Sequence, residues 1–200
     1  VSSVHRVAAM LLVIFLTACT SIAKVEGDQV VKGKLLVTVP AAWNKVNDPW
    51  DAEPYDMWTQ EGIALDHLRL WAGVRPGKTL VAKPTVFFRA PGEKDARFPT
   101  FTSGLTPDRL VSLFEAIYAN EGVVNITRVE PVVFAGEKGV RFEFTLARRA
   151  DDLTMRGVGW VAVHKDELFA ATFVAPRLSF FSRLLPMAED VIKTARIRGG

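Results

Sequence analysis

The residue with the most specific chemistry is the single cysteine, Cys19. A thiolate is a soft, strong nucleophile and forms stable thioethers, while a lone cysteine has no partner for an internal disulfide. Of the three histidines, His5 sits at the extreme start of the chain, and His67 and His164 remain as acid–base candidates. His67 follows Asp66, and His164 heads the cluster His164-Lys165-Asp166-Glu167. A site assembled by folding from Asp66, His67 or His164 would make the chain an envelope hydrolase, with the long loop at 81–102 helping to wall a cleft. Neighbouring residues on a strand point to opposite faces, which argues against a direct Asp66–His67 pair. The 164–167 cluster has the composition of a solvated hairpin turn. A nucleophile elbow, an HExxH helix, a phosphate-cradling loop and a dinucleotide fingerprint are all absent. Ser103-Gly104 lacks the strand-to-helix context that a nucleophile needs. On this reading no catalytic residue is assigned, and neither a cofactor nor a metal site is expected.

Two other groups bear on binding. Trp43, Trp50, Tyr55 and Trp58 lie in or beside a proline-rich stretch. Flat rings give contact area at low entropy cost, so the four are candidates for a sugar, peptide or lipid platform. The competing reading is that they cover one end of the core. Arg148, Arg149 and Arg156 bracket a turn and would suit phosphates, unless Asp151 and Asp152 between them neutralise the charge.

The position of Cys19 gives it a role. A basic start at His5-Arg6 is followed by an apolar run over residues 7–16 and by small residues, which are the parts of a secretory signal. As a helix that run spans about 15 Å, well short of a hydrocarbon core of about 30 Å. Leu16-Thr17-Ala18-Cys19 resembles the lipobox of bacterial lipoproteins. The resemblance implies diacylglycerol on the Cys19 thiol, cleavage between Ala18 and Cys19, and in many bacteria an N-acyl chain such as palmitate. One acyl chain binds only marginally, whereas two or three anchor stably. Thr20 after the cysteine resembles cargo that is sent on to the outer membrane. Residues 1–18 are therefore expected as signal peptide, 19–32 as lipidated flexible tether, and 33–200 as one folded domain.

Composition fits that division. With 49% apolar and 24% charged residues the chain is ordinary for a globular protein and too apolar for disorder. Its formal net charge of +3 has no concentrated basic tract behind it, so nucleic acid is not an expected partner. Residues 34–39 read as a strand and 40–54 as a structured loop. Short strands follow over 57–59 and 63–74. Thr106-Pro107-Asp108 opens a helix through Leu110, Leu113, Phe114 and Ile117, which Gly122 ends. Val140, Phe142, Phe144 and Leu146 alternate with Arg141, Glu143 and Thr145 as a half-buried strand. Residues 154–163 and 168–174 are apolar at both parities, as in central strands, and 186–197 close the chain as a helix. The sum is an α+β domain, an antiparallel sheet of about six or seven strands with two main helices packed against it.

From residue 34 onward this order of elements resembles the PsbP-like α/β fold. The features that carry it are Val37-Thr38-Val39-Pro40-Ala41-Ala42-Trp43, the helix after Pro107, and hairpin strands over 139–175 that end in a helix and Ala195-Arg196-Ile197. The resemblance implies a binding or assembly role more often than catalysis. The expectation is thus a periplasm-facing lipoprotein of the cell envelope, held by lipid on Cys19 and binding a protein or envelope component.

Overall fold

The computed structural model describes residues 22–48, 51–82 and 98–199. Strands β1 (Ile22–Val31), β2 (Leu35–Val46), β3 (Tyr55–Thr59) and β4 (His67–Val74) come first, followed by helix α1 (Pro107–Tyr118). Four long strands follow: β5 (Gly122–Phe134), β6 (Glu137–Arg148), β7 (Thr154–His164) and β8 (Glu167–Pro176). Helix α2 (Phe180–Lys193) and the short β9 (Arg196–Ile197) end the chain. The strands form one antiparallel sheet in the order β1-β2-β3-β4-β8-β7-β6-β5, with β9 beside β2.

Turn chemistry sets the register of the hairpins. Ala135-Gly136 and Lys165-Asp166 each take two consecutive positive φ angles, the conformation a two-residue type I′ turn demands, and Lys32-Gly33 do the same within a three-residue loop. That turn follows the right-handed twist of its strands, and each of these pairs joins adjacent antiparallel strands.

The central strands are apolar at both parities because both of their faces are covered. Phe169, Ala171, Phe173 and Ala175 of β8 join Leu68, Leu70, Val158 and Trp160 in one core, closed by Phe181, Leu184, Ala188 and Val191 of α2. Leu168, Ala170 and Val174 join Trp71, Phe142, Phe144 and Val161 in the other, closed by Leu110, Phe114, Ile117 and Tyr118 of α1. Two glycines tighten the α1 side. A Cβ at Gly157 would lie 2.1 Å from the Phe144 ring, and one at Gly159 would lie 2.2 Å from the Phe142 ring. Each aromatic ring therefore lies flat across its cross-strand glycine.

Several expectations are corrected. Among the described residues the sheet has nine strands rather than six or seven. Residues 22–31, expected in a flexible tether, form β1, so the folded body begins before residue 33. Residues 19–21 and the whole 1–18 leader lie outside the described residues. β2 runs on through Pro40 to Val46 where a loop was expected, and its pairing with β1 breaks opposite Pro40, between Val25 and Gly27. A proline is tolerated at such a bulge. β4 starts at His67 instead of residue 63. α2 starts at Phe180, so Pro186 lies inside the helix rather than at its first turn, and the closing helix ends before β9. Thr106 does occupy the N-cap of α1, but without a side-chain cap bond.

β5 is an edge strand, and it is defended. Its register slips between Ile126 and Arg128, Pro131 lacks an N–H, and Arg128 pairs with Glu130 at 2.6 Å. Arg141 also reaches Glu130 and Glu143, and Arg156 reaches Glu143, so a ladder of alternating charge crosses three strands.

Replacing Gly159 by Val is expected to destabilise the fold by about 1–3 kcal/mol through overpacking against Phe142. Urea unfolding of the two proteins, compared at equal m-value, checks this.

Candidate functional site

The aromatic candidates are not brought together as a platform. Trp43 and Trp58 are each 1% exposed and belong to the α2-side core, where Trp43 meets the edge of Phe173 at 6.3 Å. Tyr55 packs at 5.0 Å on Trp71 at the margin of the other core. Trp50 lies outside the described residues. Burial of Trp43 and Trp58 corrects the expectation that they offer ring faces to a ligand.

The acid–base candidates are separated as well. Asp66 is fully buried and acts as a loop brace, accepting from Thr59 Oγ1 at 2.9 Å, Gln60 N at 2.8 Å and Glu61 N at 2.7 Å. His67 pairs with Val174 in the sheet, whereas His164 pairs with Glu167. Those partners stand seven residues apart on β8, about 23 Å at the rise of a strand. His164 Nδ1 instead meets Glu137 at 2.8 Å, tying two hairpin ends together. His67 and His164 therefore do not share a pocket, and Asp66 is engaged as a loop brace.

What His67 does join is a buried polar seam beneath α1. Its ring stacks on Tyr118 with centroids 6.3 Å apart, and its Nε2 has no hydrogen-bond partner among the described residues. The Arg69 guanidinium lies 5.3 Å from the centroids of both Tyr55 and Tyr118 and donates to Glu121 at 3.0 Å. Tyr118 Oη and Thr172 Oγ1 share a hydrogen bond of 2.7 Å. Burial above all, then the nearby Arg69 and Arg148 charges, holds the His67 pKa well below its usual range. Burial also pushes the Tyr118 phenol up to about 12. Both groups are thus neutral near pH 7. Sequence spacing did not point to Arg69, Tyr118, Glu121 or Thr172 as a set, because they come from β4, α1, the turn after it and β8.

The arginine hairpin tip follows its bland reading. Arg148 is held by Asp151 through bonds of 2.9 and 2.5 Å and donates to Ala64 O, while Arg156 pairs with Glu143. Beside this tip lies a surface cleft of about 440 Å³, lined by Leu65, Leu153, Pro176, Leu178 and Phe180 with Arg177 at its rim. Leu178 is 74% exposed. It precedes Ser179, whose φ of 68° and ψ of −46°, with Phe180 N–H donating to Leu178 O at 2.8 Å, make a γ-turn. Such backbone costs about 1–3 kcal/mol and persists only where its surroundings enforce it. A Pro-Arg-Leu-Ser connection between a strand and a helix carries no sequence mark of a cleft.

Among the described residues no three His, Cys, Asp or Glu side chains converge to hold a metal. No described helix is long and apolar enough to cross a membrane.

The neutral state of His67 makes acid stability testable. Below about pH 6.5 the unfolded chain takes up a proton that the folded chain refuses. Folding stability should then fall by up to about 1.4 kcal/mol per pH unit until the depressed folded-state pKa is reached. In His67→Leu that component of the slope should vanish, which urea unfolding at pH 7, 6 and 5.5 would measure as a difference between the two proteins.

No protein-family model and no curated protein matches the chain. Among solved structures, the solution structure of cyanobacterial PsbP from Synechocystis matches 92% of this chain and 96% of its own, with a TM-score of 0.53 at 10% identity. The crystal structure of LpqN, described as involved in cell envelope biogenesis of Mycobacterium tuberculosis, matches 91% of this chain and 87% of its own, also at 10% identity, but with a TM-score of only 0.35. The superposition on cyanobacterial PsbP shows that the chain has a PsbP-like fold.

Proposed function

We propose that the chain is a lipid-anchored, non-catalytic module of the bacterial cell envelope that binds or assembles with a protein or envelope component. The observation that carries this reading is the commitment of its chemistry-bearing residues to structure. Asp66 braces a loop, His67 lies under α1, and His164 holds a turn at the far end of the sheet. Anchoring is supported by the Leu16-Thr17-Ala18-Cys19 motif and by the closeness of Cys19 to β1, which starts at Ile22. With a tether this short, the domain stays at the membrane that holds the lipid, here the outer membrane on its periplasmic side. The apolar cleft around Leu178 is the candidate contact surface, because a large apolar side chain held outward on strained backbone does nothing for the core.

Two measurements test this. Intact mass of the mature protein should show a diacylglyceryl Cys19 as the N-terminal residue, and Cys19→Ser should lose both that mass and retention in washed envelopes. Retention of Cys19→Ser through a high-salt wash, after the normal cut, would end the anchoring reading. Leu178→Asp is exposed and should change stability by no more than about 0.5 kcal/mol, yet lose co-purifying partners from detergent-solubilised envelopes. An unchanged partner set would remove the cleft from the proposal.

A further inference from the structure

The sheet has two edges, β1 and β5, and β5 is closed by Pro131 and its register slip. Among the described residues β1 pairs with β2 alone, so its outer side presents unpaired backbone N–H and C=O groups. β1 carries no proline. The irregularity between Val25 and Gly27 is taken up by β2, which sets Pro40, Ala41 and Ala42 against Glu26 alone. The alternation of β1 therefore survives along its length. Val25 and Val31 are buried and Ala23 and Gln29 half-buried, while Ile22, Lys24, Glu26, Asp28 and Val30 are exposed on the opposite face.

That exposed row matches itself when reversed about Glu26. An antiparallel second copy in this register sets Ile22 opposite Val30, Lys24 opposite Asp28, and Glu26 opposite its own mate. On the other face it sets Ala23 opposite Gln29 and Val25 opposite Gly27. Ile22 is 59% and Val30 47% exposed, so each end of the pair covers two aliphatic side chains that one chain leaves in water. A Cβ on Gly27 would meet nothing within 4 Å, which leaves open space for Val25 of the second copy. The one meeting of like charges is at the axis, where each Glu26 already holds its own Lys24 at 2.7 Å. Neighbouring registers that keep the faces aligned match less well. An axis at Val25 sets Ile22 against Asp28 and leaves Val30 outside, and an axis at Gly27 sets Glu26 against Asp28.

We propose that β1 is a self-recognition edge, through which two copies of this chain join their sheets antiparallel about an axis at Glu26. The interface is isologous, so the same strand serves both copies. Because β5 denies a further strand, assembly stops at two. A single strand pair with a like-charged centre makes the dimer weak, and high local concentration favours it. It uses neither the Leu178 cleft nor lipid on Cys19, so its failure and the failure of the proposed envelope role are separate results.

Disulfide trapping of the full chain tests the pairing. Ala23→Cys with Gln29→Cys leaves the exposed row intact and places the two thiols across the interface, with Cα atoms about 5 Å apart. Along one strand the same positions lie about 20 Å apart. Mild oxidation should yield a disulfide dimer that grows with protein concentration, and no larger product. Ala23→Cys alone sets its mates about 20 Å apart and should give severalfold less. Cys19 is kept out of the reaction by its lipid or, where its mass shows a free thiol, by Cys19→Ser. In the two-thiol background Lys24→Glu should cut the dimer severalfold, because it meets Asp28 with a like charge. Lys24→Glu with Asp28→Lys should restore the yield, and Glu26→Gln should raise it. Thermal midpoints verify folding; should Lys24→Glu not fold, Lys24→Gln replaces it and should give a smaller loss. No dimer, equal trapping by the one-thiol and two-thiol chains, or a Lys24 variant without effect would overturn the proposal. So would a charge swap that fails to rescue, a Glu26→Gln that lowers the yield, or a ladder of larger products.

Discussion

The constraint on which this fold depends is the double burial of β7 and β8. Both strands carry apolar side chains on each face, from Val158, Trp160 and Val161 to Phe169, Ala170 and Phe173. Hydrophobic burial is non-directional and roughly proportional to area, so each face must find a cover or remain a costly apolar surface. α1 with the phenylalanines of β6 supplies one cover; α2 with the inner side of β1 and β2 supplies the other. The long terminal hairpin and the C-terminal helix are thereby tied together, as Thr194 Oγ1 accepts from Thr38 N at 2.8 Å.

Within the α1-side core the polar seam works against that economy. Among the described residues His67 Nε2 and Arg69 Nε lack hydrogen-bond partners, and a buried unsatisfied group costs about 1–3 kcal/mol. Arg69 offsets its burial by an ion pair with Glu121 and by two aromatic faces. The seam joins β4, the C-terminal end of α1 and β8 at one place, so it specifies how α1 sits on the sheet.

Much of this architecture was legible residue by residue, for identifiable reasons. The start of α1 was marked by Thr106-Pro107-Asp108, and β6 by strict alternation, because one face of β6 is packed and the other is polar. β1 was hidden because only Val25 and Val31 of its ten residues are buried, which leaves no period to detect on an edge strand. The true start of α2 was masked by Pro186, whose preference for a first turn misplaced the boundary by six residues. Reading Trp43 and Trp58 as possible binders failed because proline-rich context suggested exposure, whereas β2 continues through Pro40 and carries Trp43 inward. The seam and the cleft were illegible in principle, since their members lie far apart in the chain and meet only through the sheet.

The edge strand β5 has a consequence of its own. Thirteen residues of open backbone would ordinarily invite a neighbouring copy to add a strand. Here the missing amide of Pro131, the slip beside Arg128 and the charges around Glu130 deny any incoming chain a continuous run of donors and acceptors. Copies of the chain at high local concentration can therefore crowd together without zipping into a common sheet through this edge, and β5 remains one boundary of a discrete body.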